Sequence, residues 1–288
     1  MTNTAAASAT AQTARTPSSP AAPVPPRAGL PAPRLRGFGQ SILEDITIDY
    51  GPPELLGRVF LKAETQARLA GVTLSFAPVK TLAEVNRANR DSWKVLLPTF
   101  DVAYGGINDE NAYCIVGRND AGEVVATQGA RFFSWTSTSF HEELESLRLL
   151  YGDPERMRGP DESCTVTAPS ARSLRGRVVY SGGVWYRPDF RGKGLASCIT
   201  RLSKGLAFTR WYSDVTLSLM TDDTVEGGTW RRTGYPNLEW DVTIRNCPLG
   251  NIRCAIIWMR MNELIADLEK YLATLSPEVD RIIHDRAA

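Results

Sequence analysis

The fold of this chain is decided by residues 178–196, whose sequence is VVYSGGVWYRPDFRGKGLA. The apolar run that begins at Val178 predicts a strand, and Pro188 with Asp189 predicts a short turn after it. A glycine loop follows and leads into a helix, because apolar residues then recur at helical spacing. This apolar stripe consists of Leu195, Ile199, Leu202 and Leu206.

The glycine loop has the composition of a phosphate-binding site. Gly192 and Gly194 lack the Cβ atoms that would hold a phosphate away from the backbone. The free N–H groups and the positive dipole end at a helix N-terminus attract anions. The loop lacks the Lys-Ser/Thr pair of a P-loop, and Ser197 stands where a dinucleotide-binding loop has its third glycine. The alternative is a strand-to-helix turn whose glycines serve only the backbone geometry.

Composition indicates an ordinary globular protein. The chain has 288 residues, 43% of them hydrophobic and 23% charged, with a net charge of +1. This charge gives no reason to expect a nucleic-acid partner or an anionic membrane, and no apolar run is long enough to span a bilayer. The five cysteines form no C-x-x-C pair, which predicts reduced thiols and a cytoplasmic protein. With only His141 and His284, both expected at the surface, we predict no metal site.

The first 37 residues differ in composition from the rest. They hold seven of the eighteen prolines and no acidic residue, so we expect residues 1–37 to form a disordered tail rich in Ala, Pro, Ser and Thr. A targeting peptide is the alternative, although the prolines interrupt the amphipathic helix that a transit peptide forms. Residues 38–288 are then expected to form a single domain.

Hydrophobic periodicity predicts further helices and strands around the central stretch. Helices are expected at 54–70, from Thr81, at 139–151, within 221–233, and from Asn262 to about 274. Capping boxes at Thr81 and Ser139 and a cap at Asn262 mark three of these helix starts. Strands are expected at 72–76, 113–116, 123–135, 178–186, 215–220, 238–245 and 252–261. Residues 152–175 are expected to be irregular, as a lid or a disordered insert.

The sequence Pro-Asp-Phe-Arg-Gly-Lys-Gly-Leu-Ala, residues 188–196, resembles the acyl-CoA pyrophosphate loop of the GNAT-type N-acetyltransferases. The family pattern is Arg/Gln-x-x-Gly-x-Gly/Ala, which Arg191, Gly194 and Ala196 fit. The order of elements resembles the family over residues 72–261. The segment Trp230 to Tyr235 is similar to the family's Tyr-x-x-x-Gly-Phe segment, with tryptophan in place of the tyrosine. The resemblance implies a GNAT fold: an α/β (α+β) structure with a mixed, mostly antiparallel sheet of about seven strands flanked by helices, with extra N- and C-terminal helices outside the core.

By this resemblance, acetyl-CoA would be the co-substrate and an amine of an unknown acceptor would attack it directly in a ternary complex. The residues implied to hold the pyrophosphate are Arg191, Gly192, Lys193, Gly194, Leu195 and Ala196. The backbone implied to pair with the pantetheine arm belongs to Val184, Trp185 and Tyr186. An amide N–H of that strand would polarise the thioester carbonyl. Lys193 or Arg187 would reach a phosphate or remain solvated.

Catalytic residues stay unassigned at this stage. Gly182 and Gly183 stand where some family members place a glutamate, and they provide either a bulge or room for substrate. Asp222 and Asp223 are candidates for the base, with helix capping as the alternative. Trp230 occupies the position of a tyrosine that protonates the leaving thiolate in many relatives, and an indole is no useful acid.

Three alternatives remain open. The protein transfers another acyl or an aminoacyl group on the same fold, or it is a non-catalytic module that binds acyl-CoA, or it is an unrelated α/β protein without a CoA site. The acceptor and the oligomeric state are not encoded in any motif. The loop at 96–111 either borders the acceptor or is only a connection.

Overall fold

The computed structural model describes residues 41–274. The tail expected at 1–37 lies outside the described residues, as does His284. The described helices are α1 (Pro53–Leu69), α2 (Lys80–Ala88), α3 (Phe140–Glu145), α4 (Pro154–Met157), α5 (Leu195–Trp211), α6 (Asp222–Glu226), α7 (Thr229–Arg232) and α8 (Met261–Ala273). Of these, α1, α5 and α8 are long and the others are short. The strands are β1 (Thr73–Ala77), β2 (Ala112–Arg118), β3 (Val124–Trp135), β4 (Ser163–Val166), β5 (Gly176–Tyr186), β6 (Val215–Thr221), β7 (Asn237–Cys247) and β8 (Gly250–Arg260).

One mixed sheet organises the described residues, in the order β1-β2-β3-β5-β6-β8-β7-β4. All neighbouring strands are antiparallel except β5 and β6, which run parallel. The predicted mixed, mostly antiparallel sheet flanked by helices is confirmed. The sheet has eight strands, one more than the seven expected, because β4 adds to its edge beside β7.

The two faces of the sheet carry separate apolar clusters. On one face α5 packs against α1 and α8, and the predicted stripe from Leu195 to Leu206 is buried there. On the other face Leu82 of α2, Phe140 of α3 and Phe100 pack against the central strands. Each face therefore buries one side of β5, and residues 178–181 of this strand are buried.

The strand β4 corrects the expectation for residues 152–175. This segment is not a disordered insert, because Ser163–Val166 pairs with β7 from Arg245 back to Val242. Cys164 and Val166 are buried on its inner side, while Ser163 and Thr165 are exposed. Four residues of alternating burial between glycines and prolines are too short a pattern to identify from sequence alone.

Three helix boundaries differ from the prediction. The capping box predicted at Thr81 is not formed, because α2 begins at Lys80, after Val79, and has no side-chain cap. The last helix begins after Arg260, so Asn262 is inside the helix and does not cap it. Ser139 does cap α3, but this helix ends at Glu145, and Leu147 takes a left-handed φ of 63°.

His141 is buried, which contradicts its expected place at the surface. Its Nε2 lies 3.3 Å from a carboxylate oxygen of Glu145, one turn along α3. Another carboxylate oxygen of Glu145 accepts the backbone N–H of Val166. Glu145 thus contacts both the imidazole and β4, the strand that the sequence did not predict.

Candidate functional site

The strands β5 and β6 separate halfway along the sheet. They pair in parallel only from Val178 to Tyr180 of β5 and from Val215 to Leu217 of β6. Beyond these pairs β5 stays paired to β3 as far as Tyr186, and β6 stays paired to β8 as far as Thr221. The inner edges of residues 181–186 and 218–221 therefore face each other without a strand between them. We call this opening the β5–β6 notch.

A bulge interrupts β5 inside the notch. Gly182 pairs with Gly129 and Trp185 pairs with Thr127, so Gly183 and Val184 lie opposite the single residue Gln128. Neither residue has a ladder partner on β3 or on β6. Gly183 has a φ of 60°, in the left-handed region that favours glycine. The paired glycines therefore provide a bulge, one of the two roles that the sequence left open.

The glycine loop follows the end of β5. A single turn of 3₁₀-helix at Pro188–Phe190 confirms the predicted turn, and α5 begins at Leu195, as predicted. Gly192 and Gly194 have φ values of +77° and +79°, and nothing in the described residues lies within 4 Å of a Cβ added to either. The loop therefore needs glycine for its backbone conformation and presents open space above both residues.

The loop and the first turn of α5 hold a run of unused backbone donors. Among the described residues, no acceptor takes a hydrogen bond from the N–H groups of Gly192, Lys193, Gly194, Leu195 or Ala196. Gly194 at the N-cap supplies no side-chain cap. The Arg191 N–H differs, because it donates to Pro188 O at 3.2 Å. Five consecutive N–H groups at the positive end of a 17-residue helix form a strong anion-binding arrangement.

The basic side chains near the loop have defined contacts. Arg187 pairs with Asp189 at 2.8 Å and with Glu123 at 2.7 Å, so it ties the turn to the β2–β3 hairpin. Arg191 Nε donates to Tyr186 O at 3.0 Å, and the side chain therefore holds the end of β5. The Lys193 ammonium lies 4.1 Å from the centre of the Phe190 ring and remains exposed. Of these three cations, only Arg187 forms ion pairs with described residues, because Arg191 donates to backbone carbonyls and Lys193 lies over a ring.

Residues Ser92, Trp93 and Lys94, which we call the strap, cover the end of β5. The Trp185 indole N–H donates to Ser92 Oγ at 3.1 Å, and Arg191 donates to Ser92 O at 2.9 Å. Trp93 stacks on Trp185 with ring centres 5.8 Å apart. The strap follows the end of α2 at Ala88, and its composition does not distinguish it from an ordinary connecting segment, so it cannot be recognised from sequence.

Asp222 and Asp223 occupy the first turn of α6, immediately beyond the β6 side of the notch. Lys94 of the strap donates to Asp223 at 2.8 Å, and Thr221 donates to the same carboxylate. These hydrogen bonds lower the pKa of Asp223, with the Lys94 bond as the larger cause. A carboxylate with a lowered pKa is a weaker base, so this contact argues against Asp223 as the group that accepts a proton from an amine.

Two buried tyrosine hydroxyls lie close to the notch. Tyr186 ends β5 and Tyr235 precedes β7, and neither hydroxyl has a hydrogen-bond partner among the described residues. Burial raises the pKa of both phenols well above 10. The hydroxyl of Thr200 partly opposes this rise at Tyr186, and the hydroxyl of Ser181 partly opposes it at Tyr235. Trp230 is half-buried in α7 and packs against the apolar cluster on the α5 face.

The five cysteines are all buried and unpaired. Burial raises the pKa of Cys164, Cys198 and Cys254 to about 12. Within residues 41–274 there is no group of three or more His, Cys, Asp or Glu side chains arranged to hold a metal ion. In the same range, the helices are too short or too polar to cross a lipid bilayer.

Comparison with known proteins gives matches at the level of structure. No protein-family model matches the sequence, and no curated protein matches it. Among solved structures, AAC(6')-Ib in complex with paromomycin and acetyl-CoA matches with a TM-score of 0.37 and 13% identity, over 67% of this chain and 95% of that chain. The spermidine N-acetyltransferase from Vibrio cholerae with CoA and spermine has a TM-score of 0.40 and 11% identity, over 68% and 98% of the two chains.

A third match is Arabidopsis thaliana NAA60 in complex with acetyl-CoA, with a TM-score of 0.36 and 11% identity over 66% of this chain and 99% of that chain. All three of these proteins are acetyltransferases.

Proposed function

We propose that this protein is an acetyl-CoA-dependent N-acetyltransferase of the GNAT type, with residues 38–288 as its single catalytic domain. The observation that carries the proposal is the run of five N–H groups, from Gly192 to Ala196 beside the β5–β6 notch, that have no acceptor in the described part of the chain. A phosphate site and an open strand edge lie next to each other, which suits a ligand with a diphosphate at one end and an amide-containing arm at the other.

The pyrophosphate of CoA would lie on the glycine loop. Backbone N–H groups would donate hydrogen bonds to the pyrophosphate from Gly192, Lys193, Gly194, Leu195 and Ala196. The dipole of α5 would favour its negative charge. Arg191 would act through its side chain, because its N–H already donates within the turn. Lys193 is exposed and forms no ion pair within residues 41–274, so it is available to a phosphate.

The pantetheine arm would run along β5 in the notch. Val184, Trp185 and Tyr186 have no partner strand on that side, and Val184 is 37% exposed although it is apolar. Amide groups of the arm would pair with this backbone as an additional strand would. Gly183 and Val184 lie in the bulge without ladder partners, and a backbone N–H there would polarise the thioester carbonyl.

Direct attack by the amine fits the side chains present. An acyl-cysteine intermediate would need an accessible thiolate, whereas all five thiols are buried and burial raises the pKa of each. Holding both reactants together in one complex lowers the barrier by removing their translational freedom. With Asp223 paired to Lys94, water is the proposed route for the proton of the amine.

An acceptor screen tests the proposal. Purified protein is incubated with acetyl-CoA and a panel of polyamines, aminoglycosides, amino acids and peptide N-termini, and free thiol is followed. Thiol release that depends on one class of amine supports the proposal. Release that is equal without any amine, or stable CoA binding without transfer, argues against it.

The non-catalytic module is the second candidate, because Trp230 stands in place of an acid and glycines stand in place of a glutamate. It predicts that acetyl-CoA binds with no transfer to any amine. Transfer of a longer acyl or an aminoacyl group is distinguished in the same screen by replacing acetyl-CoA with other acyl donors.

A further inference from the structure

Gln128 is a fully buried polar residue in the interior of β3. It is the single residue that lies opposite Gly183 and Val184 in the bulge of β5. Its neighbours Thr127 and Gly129 pair with Trp185 and Gly182, so the side chain of Gln128 stands at the point where the two strands lose their register. A carboxamide is costly at such a place unless its donors and acceptor are used.

The carboxamide of Gln128 contacts both strands and the helix that covers them. Its Nε2 donates to Ser181 Oγ at 3.1 Å and to Gly129 O at 3.1 Å. Its Oε1 accepts the hydroxyl of Thr200 on α5 at 3.4 Å. The side chain of Gln128 thereby links β5, β3 and α5 at the level of the bulge.

Thr127 completes this set of contacts from the other side of the bulge. Its hydroxyl donates to Gly183 O at 2.8 Å, and its side chain is buried. With Gly183 O accepting from Thr127, the orientation of the peptide group between Gly183 and Val184 is fixed. The N–H of Val184 belongs to this same peptide group and consequently has a fixed direction.

We propose that Gln128 and Thr127 are positioning residues that hold the bulge of β5 in the conformation that binds the acyl-pantetheine end of acetyl-CoA. This inference rests on the proposed function and adds to it. Neither side chain touches the ligand, and both act through the backbone of residues 181–184. Neither side chain forms a hydrogen bond with residues 192–196, and Gln128 reaches α5 only at Thr200. Both residues should therefore have little effect on binding of the phosphate end of the ligand.

The experiment compares two probes on three variants. The probes are acetyl-CoA and 3′-phospho-ADP, which carries the diphosphate half of CoA without the pantetheine arm. Gln128→Met keeps the length of the side chain but removes its hydrogen-bond donors. Thr127→Val keeps the shape of the side chain but removes its hydroxyl. Thr209→Val is the control. Thr209 is equally buried on α5 and accepts a hydrogen bond from Tyr50, far from the bulge.

We expect Gln128→Met and Thr127→Val each to raise the Kd of acetyl-CoA by about tenfold, the effect of losing one well-oriented hydrogen bond. The Kd of 3′-phospho-ADP should stay within twofold of wild type in both variants, and the control should change neither. This split is a readout that general destabilisation does not produce, because a partly unfolded protein loses affinity for both probes alike.

Two results would overturn the inference alone: an unchanged Kd for acetyl-CoA in both variants, or an equal loss of affinity for both probes. If Gln128→Met does not fold, Thr127→Val decides, since valine fits a buried strand position. Failure of the wild-type protein to bind either probe would instead remove the proposed function, and this inference with it.

Discussion

The Lys94 ammonium lies 2.8 Å from a carboxylate oxygen of Asp223, across 129 residues of sequence. Lys94 belongs to the strap over the end of β5, whereas Asp223 belongs to the first turn of α6 after β6. The ion pair therefore joins the two sides of the β5–β6 notch at its open end. Both side chains are more than half exposed, at 68% and 60%.

Lys94→Met should raise the pKa of Asp223 toward its ordinary value, because the Lys94 bond is the largest cause of its lowering. The free energy of unfolding should change by less than about 1 kcal/mol, as is usual for an exposed ion pair. Side-chain NMR titration measures the pKa of Asp223, and urea unfolding measures the free energy of unfolding. Lys80→Met, which breaks the exposed pair with Glu84, is the control and should leave the pKa of Asp223 unchanged. An unchanged pKa in Lys94→Met would show that the ion pair does not persist in solution.

Gly182→Ala should destabilise the protein by about 1–3 kcal/mol, the usual cost of overpacking. A Cβ at this position would lie 2.5 Å from a ring carbon of Phe100, which is itself buried. Gly57→Ala is the matched control, since a Cβ on this helical glycine of α1 meets nothing within 4 Å. It should stabilise the protein by up to about 1 kcal/mol, because alanine favours the helix. Chemical denaturation measures both, and equal effects of the two variants would contradict the packing described for Gly182.

Lys204 should make stability rise with pH in mildly alkaline solution. It is wholly buried, donates to Thr233 O at 2.6 Å, and lies 3.6 Å from Asp267. Burial lowers its pKa to about 8, although Asp267 opposes this effect. Between about pH 8 and pH 10 the unfolded chain therefore binds more protons at this lysine than the folded chain, and stability increases with pH.

Urea unfolding of wild type and Lys204→Met at about pH 7.5 and pH 9.5 measures this contribution. The wild type should gain on the order of 1–2 kcal/mol relative to the variant over this interval. Subtracting the variant removes the contribution of the buried tyrosines, which is common to both proteins. A parallel pH dependence in the two proteins would mean that Lys204 titrates as an ordinary lysine.

Trp230→Tyr should raise the turnover of an acetyl acceptor, and Trp230→Phe should not. Tyrosine at this position would supply a proton to the leaving thiolate, and a general acid contributes about 10²–10⁴-fold. We expect turnover at least about tenfold higher with tyrosine than with phenylalanine, with a new limb in the pH profile near a tyrosine pKa. Steady-state kinetics across pH provide the test. Equal rates for the two aromatic variants would assign Trp230 to packing against the α5 face alone.

The parts of the fold that the sequence predicted are those with strong local signals. The glycine loop, the stripe from Leu195 to Leu206 and the two strands on either side of Gly122 are all found as expected. In each case the pattern is dictated by neighbours in sequence: helical spacing, or a φ of 82° that requires glycine at the turn. A bulge at the paired glycines was one of the two possibilities stated, and it forms at Gly183 and Val184.

The parts that were missed depend on partners distant in sequence. β4 is a strand because β7 offers it an edge 76–82 residues later. The buried His141 lies beside Glu145, whose carboxylate also accepts the N–H of Val166 in β4. The strap is held in position by hydrogen bonds to Trp185, Arg191 and Asp223, none of which is near residues 92–94 in sequence. Gln128 carries no sequence signal at all, since its position opposite a bulge exists only once β3 and β5 are paired.

The central claim is that the glycine loop binds the diphosphate of acetyl-CoA, and calorimetric titration of acetyl-CoA into Gly194→Val tests it most directly. Gly250→Val is the control, because Gly250 has a similar φ of +82° and equally open surroundings in the β7–β8 turn. Valine disfavours a left-handed φ at either position, so both variants carry comparable backbone strain. We predict saturable binding by wild type and by Gly250→Val, and binding by Gly194→Val at least about a hundredfold weaker, the loss of about two hydrogen bonds to a charged group. Wild-type affinity in Gly194→Val, or no binding by the wild-type protein, would contradict the claim.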